Sequence, residues 1–222
     1  MEIAINKLID HTLLKPEASS EQIETLCQEA LEHDFASVMV NPCRIEQCVQ
    51  LLKDSDVLVA TVIGFPLGAN SKETKVAEVQ DALAKGAQEI DMVLNIGLLK
   101  EGKTEAVIEE IKAIKALLPD KILKVIIETA LLNEEEKIRA CHCVSEAKAD
   151  FIKTSTGFST HGATVEDVAL LRKHVAPEIA VKAAGGVRSY EDLVRMVEAG
   201  ATRIGTSSGV ALVSKKVSES SY

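Results

Sequence analysis

A parallel α/β barrel of eight strand–helix units is the fold class this sequence predicts, and three observations predict it. Short apolar runs with the length of buried strands alternate along the chain with segments whose apolar residues recur at helical spacing. The alternation repeats eight times without a linker rich in Pro, Gly or Ser, which is the number of units that closes a barrel. The glycine loops G-x-G-x-x-G and G-x-x-x-x-G-K-[ST], which follow the first strand of dinucleotide- and nucleotide-binding sheets, are missing. An open doubly wound sheet is therefore the less favoured alternative. The expected organisation is a single (β/α)8 TIM-barrel domain over residues 1–222, with a short N-terminal extension at 1–7 and a polar, mobile tail at 214–222.

Each unit has its own signals. Residues 8–13 read as a strand, and Ser19 with Gln22 forms a capping box ahead of Ile23, Leu26, Cys27, Ala30 and Leu31 on one helical face. Residues 35–41 and 57–64 read as the next strands, with a helix over 44–52 between them and a helix capped by Asn70 and Glu73 running to Lys85. Gly86 stops that helix, residues 88–94 form the fourth strand, and Val107, Ile111, Ile114 and Leu118 line the following helix. Strands follow at 121–128, from Phe151, at 179–184 and at 202–206, with helices capped at Asn133, Thr164 and Ser189 and a last helix opened by Ser207-Ser208-Gly209. Gly86-Ala87-x-x-Ile90 and Gly200-Ala201-x-x-Ile204 echo each other as helix-to-strand turns.

Composition narrows the partners. The net charge of −9, with both signs interspersed, disfavours nucleic acid and anionic membranes. The start Met1-Glu2-Ile3 has no basic segment leading into an apolar core, and no apolar run is long enough to cross a bilayer, so the expectation is a cytoplasmic protein without a membrane segment. Five cysteines in such a chain point to reduced thiols. Cys141-His142-Cys143 falls in a helical segment where adjacent side chains diverge, and the five histidines are scattered, so no metal site is expected.

The chemistry centres on Phe151-Ile152-Lys153-Thr154-Ser155-Thr156-Gly157, a buried strand that ends in a lysine and a hydroxyl- and glycine-rich loop. A second lysine, Lys182, recurs in the same setting before Gly185-Gly186. In a barrel of this class, reactive groups stand at the carboxyl ends of strands, which here yields Asp10, Asp91, Glu128, Lys153 and Lys182. An ordinary lysine, with a pKa of about 10.4, is almost wholly protonated at neutral pH, whereas burial and a neighbouring ammonium free the amine to attack a carbonyl. Lys182 could supply that charge to Lys153, and Asp91 with Lys182 could move the protons that imine chemistry needs. Gly185, Gly186 and Gly205-Thr206-Ser207-Ser208 offer N–H and hydroxyl donors after the last two strands, where barrels commonly hold a phosphate. The alternatives are lysines locked in structural ion pairs and glycine turns with ordinary caps.

Asp10-His11-Thr12, Asp91-Met92-Val93-Leu94-Asn95, Phe151 to Phe158, Val181-Lys182-Ala183-Ala184-Gly185-Gly186 and Gly205-Thr206-Ser207-Ser208-Gly209, five motifs in order, together resemble the deoxyribose-phosphate aldolase family over nearly the whole chain. The resemblance implies a class I aldolase, free of metal and cofactor, that reversibly cleaves 2-deoxy-D-ribose 5-phosphate to D-glyceraldehyde 3-phosphate and acetaldehyde. By position, Lys153 resembles the Schiff-base lysine, and Lys182 and Asp91 its proton-transfer partners. Thr156, Gly157, Gly185, Gly186, Ser207 and Ser208 resemble the sugar-phosphate contacts, and Asp10 and Thr12 supporting polar residues. Tyr222 resembles a family tail that reaches the barrel mouth. The resemblance also implies a cytoplasmic enzyme, often a homodimer.

Two positions depart from the family pattern: Met39 stands where relatives often carry a cysteine, and Phe158 where some carry a lysine. A Schiff-base aldolase with another donor aldehyde and a phosphate-binding barrel without imine chemistry are the competing readings.

Overall fold

A computed structural model describes residues 5–215 of the chain. Ile5–Leu8 form a 3-10 turn leading into β1, Ile9–Leu13, so the described part of the expected N-terminal extension, residues 5–7, is tied down: Asn6 and Lys7 both bond to Asp34. The order continues with α1 (Ser20–Glu32), β2 (Ser37–Val40), α2 (Ile45–Leu52), β3 (Leu58–Ile63), α3 (Lys72–Ala84) and β4 (Glu89–Val93). A short α4 (Ile96–Lys100) precedes α5 (Thr104–Lys115), β5 (Ile122–Ile126), α6 (Glu134–Glu146), β6 (Phe151–Lys153) and α7 (Val165–His174). The described chain ends with β7 (Ala180–Ala184), α8 (Tyr190–Glu198), β8 (Arg203–Thr206) and α9 (Gly209–Val213).

The eight strands pair in sequence order into a closed barrel, sealed where β1 meets β8 through Ile9 opposite Ile204 and Asp10 opposite Gly205. Every pair is parallel, so each strand ends at the same rim and hands its following loop to one face. Alternation within each strand then sorts the side chains. Ile9, Val38, Val59, Ile90, Leu123, Ile152, Val181 and Ile204 belong to the large apolar core shared with the helices. The intervening residues fill the barrel, and that interior has two halves. On the β1–β3 side Leu14, Met39, Ala60 and Val62 form an apolar cluster backed by Phe65. On the other side the strands contribute a closely packed set of charges.

Capping signals were legible where the local chemistry had no competitor. Ser19 with Gln22, Asn133 with Glu136 and Ser189 with Asp192 form reciprocal capping boxes, each worth about 1 kcal/mol. The start of α3 needs a correction. Ser71, not Asn70, caps it by accepting from the Thr74 N–H, because the Asn70 amide donates to Glu78 instead. The other Glu78 oxygen accepts from the Gly64 N–H at 2.7 Å, so the pair stitches the β3–α3 loop to its helix. Thr164 caps α7 as expected, but the Asp167 carboxylate turns away to Lys137 at 2.6 Å.

A buried strut that periodicity did not reveal holds the same loop from below. Lys75 on α3 is fully buried and donates to the carbonyls of Gly68 and Val93 and to Glu110, at 2.9, 2.9 and 2.8 Å. Burial lowers its pKa, and Glu110 opposes the shift. Gly68 sits at φ +67°, and a Cβ there would overlap the carbonyl oxygen of Leu94. Gly68→Ala is therefore expected to cost about 2–3 kcal/mol, because backbone must move in two loops at once; a urea midpoint within error of the parent would refute this close approach.

The start of the expected mobile tail is likewise docked: Ser214 ends α9, and the Lys215 ammonium lies 5.2 Å from the centre of the Tyr190 ring. Tyr222 lies outside the described residues.

Candidate active site

Asp91, Lys153 and Lys182 converge inside the barrel because their strands place them on the inward side of the sheet. Lys153 is the register partner of Lys182 across β6 and β7, which makes the two side chains neighbours pointing the same way. Both nitrogens donate to one oxygen of Asp91, Lys153 at 2.8 Å and Lys182 at 2.7 Å, so they are no farther apart than those two bonds laid end to end. Gly205 on β8 leaves the space that the Lys182 stem occupies; a Cβ there would lie 3.1 Å from its Cε.

A third lysine completes the shell around Asp91. Lys124 on β5 donates to its other oxygen at 2.9 Å and to Glu89 at 2.5 Å. Asp10, expected to play a supporting part, is bonded to Lys182 at 2.5 Å, Arg203 at 2.5 Å and the Ser37 hydroxyl at 2.7 Å. Arg203 closes the circuit by reaching both oxygens of Glu89, at 3.2 and 3.3 Å. Thr12 donates to the Asp10 carbonyl and so steadies β1.

The loops after β6, β7 and β8 lie together over this cluster. Gly157, Gly162 and Gly185 press backbone against backbone, and the Ala163 N–H donates to the carbonyls of Ala184 and Gly185. Gly186, at φ +79°, has open space where a side chain would stand, which leaves its backbone approachable. The Thr206 hydroxyl donates to Val187, tying the β7–α8 loop to the segment that carries Ser207 and Ser208. Thr156 is committed elsewhere: its N–H and its hydroxyl both donate to Glu128. These two hydrogen bonds engage Glu128 where its backbone is left-handed, φ +55°, at the turn after β5. Phe158 is half-exposed and meets Phe65 edge-on, with ring centres 5.3 Å apart across the rim.

A sequence model described as DeoC/LacD family aldolase matches residues 4–215, nearly the full chain. The chain belongs to that family. The aldolase is 61% identical to the deoxyribose-phosphate aldolase of Brevibacillus brevis over 94% of this chain and 95% of the relative. It is 56% identical to that of Streptococcus suis over 98% of this chain and 99% of the relative. Among solved structures it is similar to one described as the tetrameric deoxyribose phosphate aldolase from Aeropyrum pernix, with a TM-score of 0.89 and 36% identity, covering 95% of this chain and 89% of that one.

Electrostatics in the aldolase follow from counting partners. Three carboxylates (Asp10, Glu89, Asp91) face four cations (Lys124, Lys153, Lys182, Arg203), all of them buried or nearly so. Lys124 touches Glu89 and Asp91, Lys182 touches Asp10 and Asp91, and Arg203 touches Asp10 and Glu89. Lys153 has a single carboxylate oxygen among the described residues. It is the cation held least firmly. Burial pushes its pKa down to about 8 against the pull of Asp91, and the fields of Lys182 and then Lys124 assist. Burial thus leads and Lys182 adds to it, rather than Lys182 acting alone. Asp91 behaves oppositely: burial favours its neutral form, but Lys124, Lys153 and Lys182 together hold the carboxyl well below the usual range. Asp10 is also held low, by Lys182, Lys124 and Arg203 against burial, whereas Lys124 is raised because Asp91, Glu89 and Asp10 outweigh its burial.

Glu89, Lys124 and Arg203 escaped the sequence reading, which took only strand ends as candidates. Glu89 and Arg203 open β4 and β8, where a charge in sequence looks like a solvated strand terminus, and Lys124 is the middle residue of β5, opposite Asp91. The signal that could have found them is the two-residue spacing of Glu89 from Asp91 and of Arg203 from Gly205, which puts each pair on one face of its strand. Among the described residues, no group of three or more His, Cys, Asp or Glu side chains is arranged to hold a metal ion.

Proposed function

We propose that Lys153 forms the imine through which this aldolase works. Its reaction is that of a deoxyribose-phosphate aldolase: reversible cleavage of 2-deoxy-D-ribose 5-phosphate to D-glyceraldehyde 3-phosphate and acetaldehyde, a carbon–carbon lyase step in deoxynucleoside breakdown. The observation that carries the proposal is the contact pattern of Lys153, a buried amine with one carboxylate oxygen and two lysine neighbours.

The steps follow from that arrangement. The free amine of Lys153 adds to the C1 aldehyde of the open-chain sugar, and loss of water leaves a protonated imine. Removal of the C3 hydroxyl proton breaks the C2–C3 bond, the electron pair moves into the imine as an enamine, and glyceraldehyde 3-phosphate departs. Protonation at C2 and addition of water then release acetaldehyde and restore the amine. Asp91, held ionised by three lysines, is a weak base; its part is to anchor Lys153 and Lys182 at a shared oxygen, which keeps Lys182 beside the imine as its proton-transfer partner. Gly157, Gly185, Gly186, Ser207 and Ser208 hold the 5-phosphate through backbone N–H and hydroxyl groups, with Thr156 and Glu128 shaping the loop beside them. Phe158 supplies no charge there, so the backbone carries more of the phosphate's recognition.

Borohydride trapping with acetaldehyde tests the assignment. The rate of permanent attachment should rise with pH and reach half its plateau near pH 8, since the free amine grows as pH passes the lowered pKa of Lys153. Peptide mapping should place the added two-carbon group on Lys153; attachment elsewhere, or none, would refute the role. Among the described residues no helix is long and apolar enough to cross a membrane; a cytoplasmic setting belongs to this proposal. A homodimer is part of the same proposal and is checked by light scattering.

A further inference from the structure

The ion-paired cluster extends well beyond the groups that imine chemistry requires, and among the described residues the side chains of its far members hydrogen-bond only within the cluster. Glu89 and Arg203 are the first residues of their strands, and Lys124 lies a register step above them, opposite Asp91. Arg203 is 12% exposed at its side chain, and the other six members no more than 4%, so solvent and salt do little to screen one from another.

We propose that Glu89, Lys124 and Arg203 set how readily Lys153 gives up its proton, acting as positioning residues through the charge balance of the barrel interior. The inference rests on reading Lys153 as the imine-forming residue. Its logic is that of a closed electrostatic system. An uncompensated charge in a low-dielectric interior is costly, and the cluster carries one cation more than it has carboxylates. The excess is discharged most readily at whichever cation is cheapest to neutralise. Arg203 cannot lose its proton in a protein, Lys124 lies within 4 Å of three carboxylates and Lys182 holds two. Lys153, with one, is left to do so.

The groups facing Lys153 are Asp91 and Glu89 from β4, Lys124 from β5, Lys182 from β7, Asp10 from β1 and Arg203 from β8, together with Glu128 in the loop after β5, whose bonds go to Thr156. Removing a remote charge should move the proton affinity of Lys153 in a direction set by sign alone. Glu89→Gln raises the cationic excess and favours the free amine. Arg203→Gln abolishes the excess and lets Lys153 keep its proton.

The test is the pH dependence of acetaldehyde trapping at Lys153 in the parent, E89Q, R203Q, the double variant and R203K. We expect the midpoint to fall by about one pH unit in E89Q and to rise by about one in R203Q, a roughly tenfold change in free amine on the rising limb. The double variant, with the excess restored, should return near the parent, and R203K, which keeps the charge, should stay there. Midpoints that remain unmoved, or that shift in one direction in both single variants, would overturn the inference, since a scaffolding role predicts loss of amplitude without a sign. If E89Q does not accumulate as folded protein, the contrast of R203Q with R203K decides alone. Failure of the parent to be trapped at Lys153 at any pH would sink the Schiff-base reading instead, a separate outcome.

Discussion

Lys153→Met is expected to lower the rate of retro-aldol cleavage by at least about 10,000-fold, and to do so without unfolding the barrel. The rate falls because no other amine among the described residues combines burial next to the substrate loops with so few counter-charges. Stability is spared for a reason specific to this cluster. Losing Lys153 leaves three cations with three carboxylates, and methionine fills the vacated volume with a flexible apolar stem. The variant should keep its unfolding free energy within about 1 kcal/mol of the parent. Product assays with deoxyribose 5-phosphate and a denaturation curve check both halves; residual activity within about tenfold of the parent would remove Lys153 from the chemistry.

Asp91→Asn should do the reverse to stability. The carboxylate receives three lysines, and its replacement by an amide leaves four buried cations against Asp10 and Glu89. Breaking a buried pair in this way costs about 3–5 kcal/mol, and the loss of the anchor that orients Lys153 and Lys182 should lower kcat by about 100- to 10,000-fold. The sign of the pH effect follows. Crowded lysines in the folded variant lose protons more readily than in the unfolded chain, which therefore binds more protons, and stability rises with pH until the folded lysines are neutral and the unfolded ones follow. A variant whose midpoint falls with pH over the alkaline range would contradict this account.

Much of the barrel was legible because its code is local. A helix stopped by Gly86 or Gly200 ahead of a short apolar strand, or a Ser19–Gln22 pair ahead of an apolar stripe, is specified by neighbours in sequence. Where two local candidates stood side by side, as at Asn70 and Ser71, the cap went to Ser71, and Asn70 is engaged by Glu78, a residue whose position only the fold supplies. The site divides similarly. Lys153, Lys182 and Asp91 were visible as charges inside apolar strands, since nothing in a solvated turn explains an ammonium flanked by Ile152 and Thr154 or by Val181 and Ala183. Thr156 was visible too, but its engagement with Glu128 depends on a left-handed turn after a different strand. Lys75 looked like one more polar helix residue until α3 was packed over the Glu110 carboxylate of α5.

By itself, then, the amino-acid order determined the succession of strands and helices, the face on which each reactive side chain lies, and the family to which the chain belongs. Those are properties of neighbours and periods, which a linear reading contains. Which of four buried cations is left short of a counter-charge was decided only when eight strands closed into a ring and brought Asp10, Glu89 and Asp91 within bonding distance of Lys124, Lys182 and Arg203. Coulomb interactions depend on separation in space and on the medium between the charges, and neither exists until the chain is folded.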